Sequence, residues 1–175
     1  MCAAFKKVWL KLHEPKGEMM KKTVSRRRLI IAGTCAIAAP AGLKAQQREV
    51  WSADDAGFAL ASGRLQMLDI RTRDEWRQTG IAERAWPVSM HEEGFPERLF
   101  AARTLAGDNP VALICATGGR SGYLLRTLRD SGYSGYVDVS EGMLGSRAGP
   151  GWIARGLPVV PVDEALASLP PQLRA

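Results

Sequence analysis

Cys115 is the residue of this 175-residue chain whose setting most clearly indicates chemistry. It ends an apolar run that begins at Val111, and a segment with the composition of a helix starts at Ser121. A thiol between a buried strand and the N-terminus of a helix lies near the positive end of the helix dipole, which favours thiolate over thiol. The sequence therefore predicts that Cys115 is a nucleophile and not an inert core thiol.

The loop after Cys115 has the residue types of an anion site. Four residues separate Cys115 from Arg120, and the last two are consecutive glycines. Such a Gly pair lets backbone N–H groups turn inward as a nest, and the Arg120 guanidinium adds positive charge. We expect an anionic substrate to bind against Arg120 and the four loop residues, which are Ala116, Thr117, Gly118 and Gly119.

Short apolar runs alternate with helix-length segments along residues 46–175, which predicts one α/β domain with a central, mostly parallel sheet flanked by helices. Ser52 is a typical helix N-cap, and Gly80 and Gly132 are typical helix stops. The predicted strands are 65–70, 85–90, 111–115 and 136–139, and the predicted helices are 52–63, 73–78, 97–106 and 121–130.

Ligands of such sheets bind beyond the carboxyl ends of the strands, so the residues that follow each strand are the candidates for a site. Asp69 lies at the end of the first predicted strand, and Arg71 and Glu75 follow it. We expect the three side chains to form a charged cluster that braces the site. His91 is expected in a surface loop. Because it is the only histidine of residues 46–175, the sequence predicts no histidine-rich metal site, and no cofactor is expected.

The basic side chains are concentrated at the N-terminal end of the chain. The whole chain has 24 Lys and Arg against 18 Asp and Glu, a formal charge of +6. Residues 1–45 carry ten of the basic and two of the acidic side chains, so residues 46–175 have a balance of −2. The overall charge therefore does not indicate a nucleic-acid-binding domain.

Residues 1–45 have the layout of an export signal, with a basic start, an apolar stretch from Leu29 to Leu43 and a small residue, Ala45, before a polar run. The stretch is shorter than a membrane-spanning helix needs and Pro40 interrupts it, so no permanent span is expected after cleavage. Met20 offers an alternative start.

The segment 25–30 reads Ser-Arg-Arg-Arg-Leu-Ile and resembles the twin-arginine export signal of bacteria. An ordinary secretory signal with a basic start is the alternative. Either version predicts that the export machinery recognises the leader, that cleavage follows Ala45 and that the domain is periplasmic.

Three ordered motifs resemble the rhodaneses, the thiosulfate sulfurtransferases. The segment 115–121 is similar to their Cys-x-x-Gly-x-Arg/Ser loop, and 68–76 is similar to their Asp-Val-Arg segment with a following Glu and aromatic residue. Residues 141–159 are similar to their Gly-Gly, Trp and Gly-Leu-Pro-Val ending. The resemblance covers about residues 49–160 and implies a three-layer fold with a sheet of about five strands.

The resemblance implies that Cys115 takes the outer sulfur of thiosulfate or a similar anionic donor as a persulfide. A thiol or cyanide then accepts this sulfur. Arg120 would bind the sulfonate of the donor. Residues 145–151 look like extra loop relative to the family, and Arg147 in this loop is a further candidate to hold the donor.

Two rival functions stay open. A phosphatase or arsenate reductase of this fold would need a His-Cys-x5-Arg loop, whereas Ile114 precedes Cys115 and only four residues separate Cys115 from Arg120. A non-catalytic sulfur carrier or redox-sensing module would keep the cysteine, so the sequence does not separate it from the enzyme.

Overall fold

Seven short strands and five α-helices follow one another along residues 49–175, the part of the chain that this computed structural model describes. The predicted leader, its cleavage site and the start at Met20 lie outside the described residues. The strands are β1 (Val50–Trp51), β2 (Gln66–Asp69), β3 (Ile81–Ala82), β4 (Trp86–Pro87), β5 (Val111–Ile114), β6 (Tyr136–Val139) and β7 (Val159–Val160). The helices are α1 (Ala53–Ala61), α2 (Arg73–Thr79), α3 (Phe95–Leu105), α4 (Gly119–Asp130) and α5 (Val162–Ala167), followed by a 3-10 turn at Pro171–Leu173.

The central sheet has the strand order β1-β6-β5-β2-β4, and all of its neighbouring strands are parallel. Every residue of β5 is buried, as expected for an interior strand of a parallel sheet that helices cover on both faces. This arrangement confirms the predicted α/β fold. Because β5 is the central strand, its carboxyl end lies between the carboxyl ends of β6 and β2.

The two faces of the sheet pack into two separate apolar clusters. Ala112 and Ile114 of β5 belong to the cluster that α1 and α2 cover, whereas Leu113 and Cys115 belong to the cluster that α3 and α4 cover. This division follows from the strand period, because successive side chains point to opposite faces. Cys115 therefore lies on the α3 and α4 side of the sheet.

Local signals account for the ends of the helices near this edge. The Ser52 side chain accepts a hydrogen bond from the Asp55 N–H at 3.1 Å, which caps α1 as predicted. Thr72 and Glu75 form a reciprocal capping box at the start of α2, and this helix ends at Gly80. The capping box also fixes the backbone beside the Glu75 carboxylate.

The predicted strand 85–90 was wrong in extent, because only Trp86–Pro87 is regular strand. The chain still follows β2, since the Val88 and Met90 N–H groups donate to the carbonyls of Asp69 and Ile70. Pro87 lacks an N–H group and lies on the edge strand, where such a residue is tolerated.

None of the helices within residues 49–175 is long and apolar enough to cross a membrane.

Candidate active site

Cys115 directly follows β5 and is 1% exposed, with its thiol free. Its sulfur lies 3.4 Å from the hydroxyl oxygen of Ser121, in the first turn of α4. The sulfur is thus enclosed between the end of a strand and the start of a helix, as the sequence predicted.

The residues after β6 hold the backbone of the Cys115 loop. The Met143 N–H donates to the Cys115 carbonyl at 2.9 Å, and the Leu144 N–H donates to the Ala116 carbonyl at 2.8 Å. Gly142 has φ +68°, and a Cβ there would come within 2.5 Å of the Ala116 carbonyl oxygen. The two segments therefore pack backbone against backbone.

Gly118 allows the loop to enter α4. It is the N-cap residue, has φ +77° and ψ −12°, and a Cβ built on it would overlap the Ser140 carbonyl oxygen. A left-handed backbone conformation combined with so close an approach leaves glycine as the residue that fits.

The amide groups of this loop are available to a ligand. The backbone N–H groups of residues 116–121 donate to no acceptor within residues 49–175. Because unpaired N–H groups at a helix N-terminus attract anions, the predicted anion-binding function of Ala116, Thr117, Gly118 and Gly119 is compatible with their placement.

Replacing Gly118 by alanine is expected to destabilise the protein by about 2–4 kcal/mol, because a left-handed alanine is strained and its Cβ meets the Ser140 carbonyl. Gly119→Ala is the matched control, since a Cβ at Gly119 meets nothing within 4 Å. We expect it to change the free energy of unfolding by less than about 1 kcal/mol. Urea unfolding of both variants checks this, and equal losses would contradict the described loop.

Arg120 forms a two-pronged ion pair with Glu75, which lies 45 residues earlier in the chain. Its Nη1 donates to Glu75 Oε2 at 2.9 Å, and its Nη2 donates to Oε1. Hydrogen bonding from Arg120 holds the pKa of Glu75 at about 2, and contacts with Thr72 also lower it. Glu75 therefore stays ionised at neutral pH and fixes the guanidinium beside the Cys115 loop.

His91 lies closer to the site than the sequence indicated. It is exposed, as predicted, but its Nε2 lies 3.5 Å from Arg120 Nη1. Because a guanidinium only donates hydrogen bonds, Nε2 of His91 is the acceptor in this contact. The sequence offered one signal, the position of His91 after a strand of the sheet.

Asp69 and Arg71 form a buried pair at the carboxyl end of β2. Both side chains are fully buried, and Arg71 Nη2 lies 2.7 Å from Asp69 Oδ2. Arg71 also donates to Thr79 Oγ1 and to the Gly80 carbonyl, each at 2.7 Å. The pair therefore ties the end of β2 to the end of α2, while the Glu75 carboxylate faces Arg120.

Glu141 is a bracing residue that the sequence reasoning used only as part of a family motif. It is 2% exposed, accepts the Ala53 N–H at 3.1 Å and the Gly151 N–H at 3.0 Å, and pairs with Arg155 through both carboxylate oxygens. The hydrogen bond from Arg155 lowers the pKa of Glu141. The available signal was a charged residue two positions after a buried strand and directly before a glycine.

Arg147 lies in an exposed loop between Leu144 and Pro150. Ser146 connects the base of this loop to the site, because its hydroxyl donates to the Ser140 carbonyl at 2.9 Å. Within residues 49–175 no hydrogen bond or ion pair fixes the Arg147 side chain.

The same part of the chain contains no group of three or more His, Cys, Asp or Glu side chains placed to hold a metal ion.

Comparison with known proteins identifies the family. The family model of the rhodanese-like domain matches residues 52–147, over half of the chain. An uncharacterised protein of Rickettsia prowazekii is 24% identical over an alignment of 98 residues, and the alignment covers 53% of this chain and 80% of that protein.

Two solved structures illustrate the similarity. A protein of unknown function from Rhodopseudomonas palustris, described as a possible tyrosine phosphatase, has a TM-score of 0.48 and 20% identity, covering 65% of this chain and 85% of its own. A single-domain sulfurtransferase of Saccharomyces cerevisiae has a TM-score of 0.43 and 15% identity, covering 64% of this chain and 94% of its own. On the match of the family model, the chain belongs to the rhodanese-like domain family.

Proposed function

We propose that this protein is a sulfurtransferase that moves a sulfane sulfur from thiosulfate or a similar anionic donor to a thiol or cyanide. The observation that carries the proposal is the position of Cys115, enclosed at the end of β5 beside a loop whose N–H groups have no acceptor within residues 49–175. In a member of the rhodanese-like family, this arrangement fits a nucleophile that keeps a negatively charged sulfur bound.

The first step forms a persulfide. The Cys115 thiolate attacks the outer sulfur of thiosulfate, a new sulfur–sulfur bond forms, and the bond to the sulfonate sulfur breaks. Sulfite leaves with the electron pair of that bond. The N–H groups of the loop then stabilise the negative terminal sulfur of the persulfide.

The second step returns the enzyme to its starting form. Cyanide or a thiolate attacks the terminal sulfur, and the Cys115 sulfur leaves as thiolate. With cyanide the product is thiocyanate, so one thiocyanate and one sulfite form for each thiosulfate consumed.

Arg120 binds the sulfonate of the donor in this proposal. Its side chain is 29% exposed, and the Cys115 sulfur is among the groups that raise the pKa of Arg120, after the larger contribution of Glu75. The guanidinium is therefore partly open to solvent, and its positive charge acts on the Cys115 sulfur. Arg147 is a second candidate for the sulfonate, because its loop begins beside the Cys115 loop.

Thiocyanate formation from thiosulfate and cyanide by the full chain tests this function. Turnover of p-nitrophenyl phosphate without thiosulfate turnover would favour a phosphatase instead. A persulfide on Cys115 that no acceptor discharges would favour a sulfur carrier. The four-residue spacing between Cys115 and Arg120 supports sulfur chemistry, since the related phosphatase loops are longer.

Export to the bacterial periplasm is part of the same proposal, and residues 25–30 support it. Replacing Arg26 and Arg27 by lysine in the full chain should lower the periplasmic amount by about tenfold or more in a bacterial host. Arg28→Lys, at the variable position of the motif, is the control and should be exported normally. Unchanged export of the Arg26 and Arg27 double variant would instead indicate an ordinary secretory signal.

A further inference from the structure

His91 is a titratable side chain beside the candidate site that the proposed reaction leaves without a role. Its side chain is exposed, and its Nε2 lies 3.5 Å from Nη1 of Arg120, the residue that would bind the sulfonate of the donor. It is the only histidine of residues 49–175. Because histidine is the side chain that ordinarily changes its charge between pH 5 and 8, this contact can respond to pH within that range.

The backbone holds His91 at the carboxyl end of β2. The Met90 N–H donates at 3.2 Å to the carbonyl of Ile70, the residue directly after β2. The His91 N–H donates at 3.3 Å to the hydroxyl oxygen of Ser89, which is 2% exposed. The chain therefore brings the imidazole to the edge of the sheet at which the Cys115 loop also lies.

Nη1 of Arg120 is shared between two acceptors. A guanidinium Nη carries two N–H groups, and the acceptors of this one are Glu75 Oε2 at 2.9 Å and His91 Nε2 at 3.5 Å. The contact with His91 is longer than the usual donor–acceptor distance of about 2.7–3.2 Å, so it is the weaker of the two. An unprotonated His91 therefore occupies, by a weak contact, a position on Arg120 at which an anion could bind.

We propose, resting on the sulfurtransferase function above, that His91 is a second binding residue for the anionic sulfur donor and strengthens donor binding at mildly acidic pH. A proton from the solvent that adds to Nε2 removes its lone pair, so the Arg120 N–H is released. The imidazolium and the guanidinium then both donate to the sulfonate of the donor. Because the two nitrogens are neighbours, one sulfonate can bind both.

The charges across the site limit the repulsion between a protonated His91 and Arg120. Glu75 of α2 pairs with Arg120 through both carboxylate oxygens, and its pKa of about 2 keeps it ionised. Its negative charge offsets part of the repulsion between the two cations. The Cys115 sulfur also acts on Arg120, and it adds a negative charge when it is a thiolate or a persulfide.

Two acids follow His91 on its own loop. The Glu92 carboxylate is held by Arg73 of α2 at 2.5 Å and by Arg98 of α3 at 3.1 Å. Glu93 is exposed, and its carbonyl accepts a hydrogen bond from Arg98 at 3.1 Å. The two ion pairs therefore fix the loop that carries His91 to α2 and α3.

The affinity of the full chain for thiosulfate at about pH 5.5 and about pH 7.5 tests this proposal. Calorimetry at constant ionic strength uses Cys115→Ser, which cannot take the sulfur. We expect thiosulfate to bind about three- to tenfold more tightly at the lower pH, the effect of one added charge at a partly exposed site. His91→Gln does not titrate and should bind with the weaker affinity at both pH values. His91→Lys stays charged and should bind with the stronger affinity at both.

His13→Gln is the control, because it removes the other histidine of the chain and should leave the pH dependence unchanged. Equal affinity at the two pH values, no detectable binding at either, or the same pH dependence in His91→Gln would overturn the proposal. A chain that shows the expected dependence but forms no thiocyanate contradicts only the sulfurtransferase function. A chain that forms thiocyanate but binds thiosulfate equally at both pH values contradicts only the proposal for His91.

NMR of the His91 ring gives a second readout. Binding and protonation are coupled reciprocally, so saturating thiosulfate should move the midpoint of the His91 titration upward by about half to one pH unit, the same factor as the change in affinity. The spectrum of His91→Gln assigns the resonance. A midpoint that thiosulfate leaves unchanged would also overturn the proposal.

Discussion

Replacing Cys115 by serine is expected to abolish sulfur transfer, with thiocyanate formation falling below about one thousandth of the unsubstituted rate. A serine hydroxyl ionises far less readily than a thiol and cannot carry a persulfide. The fold should survive, because serine is close in size and its hydroxyl can keep the contact with Ser121. The assay measures thiocyanate from thiosulfate and cyanide, and urea unfolding checks the fold.

The two cysteines outside residues 52–147, the range that the family model matches, provide the matched controls. Cys2→Ser and Cys35→Ser should each leave the rate within about twofold. Activity retained in Cys115→Ser would contradict the assignment of the nucleophile. Loss of activity in either control variant would do so as well, because it would place the reacting thiol elsewhere.

Replacing Arg120 by alanine is expected to lower kcat/KM for thiosulfate by about 10- to 100-fold, mostly through a higher KM. The substitution removes the guanidinium that would bind the sulfonate. It also leaves the ionised Glu75 carboxylate, whose pKa of about 2 depends mostly on Arg120, without its cationic partner beside the anion. Steady-state kinetics with thiosulfate as the varied substrate measure both effects.

Arg129→Ala is the control for Arg120→Ala. Arg129 lies in the last turn of the same helix, is 54% exposed and pairs with Glu49, so it should leave the thiosulfate KM unchanged. An unchanged KM and kcat/KM for thiosulfate in Arg120→Ala would contradict the proposal that Arg120 binds the donor. A higher KM in Arg147→Ala alone would instead assign the sulfonate to the loop at 144–150.

The part of the site that lies close together in the chain was predictable from the sequence. Cys115 and Arg120 are separated by one loop, so the strand, the glycine pair and the helix that position them are read from consecutive residues. The capping signals of Ser52 and Thr72 are equally local. Local sequence therefore determines that β5 ends just before Cys115 and that α4 begins after the glycine pair.

Elements that depend on distant pairing were not predictable. The antiparallel ribbon pairs β3 with β7, nearly 80 residues apart, and each strand has two residues, too few to show a hydrophobic period. The predicted strand 85–90 was wrong in extent because alternation of residue types cannot show where an edge strand loses its regular pairing. These elements are set by the neighbours that they meet after folding.

Asp138 shows why polar residues near a site are easily misread. In the segment Tyr-Val-Asp-Val, alternation would turn the aspartate towards solvent, as on a half-exposed strand. β6 lies inside a parallel sheet, so both of its faces are buried and the carboxylate meets α4 instead. Only the packing of α4 on β6 brings the Asp138 carboxylate against Gly122 of that helix.

Mass spectrometry of the full chain after incubation with thiosulfate, without reductant, tests the central claim most directly. We expect the peptide that contains Cys115 to gain about 32 Da, the mass of one sulfur atom, and to lose it when cyanide is added. The peptides that contain Cys2 and Cys35 should be unchanged. A Cys115 peptide of unaltered mass under conditions in which thiocyanate forms would contradict the persulfide mechanism.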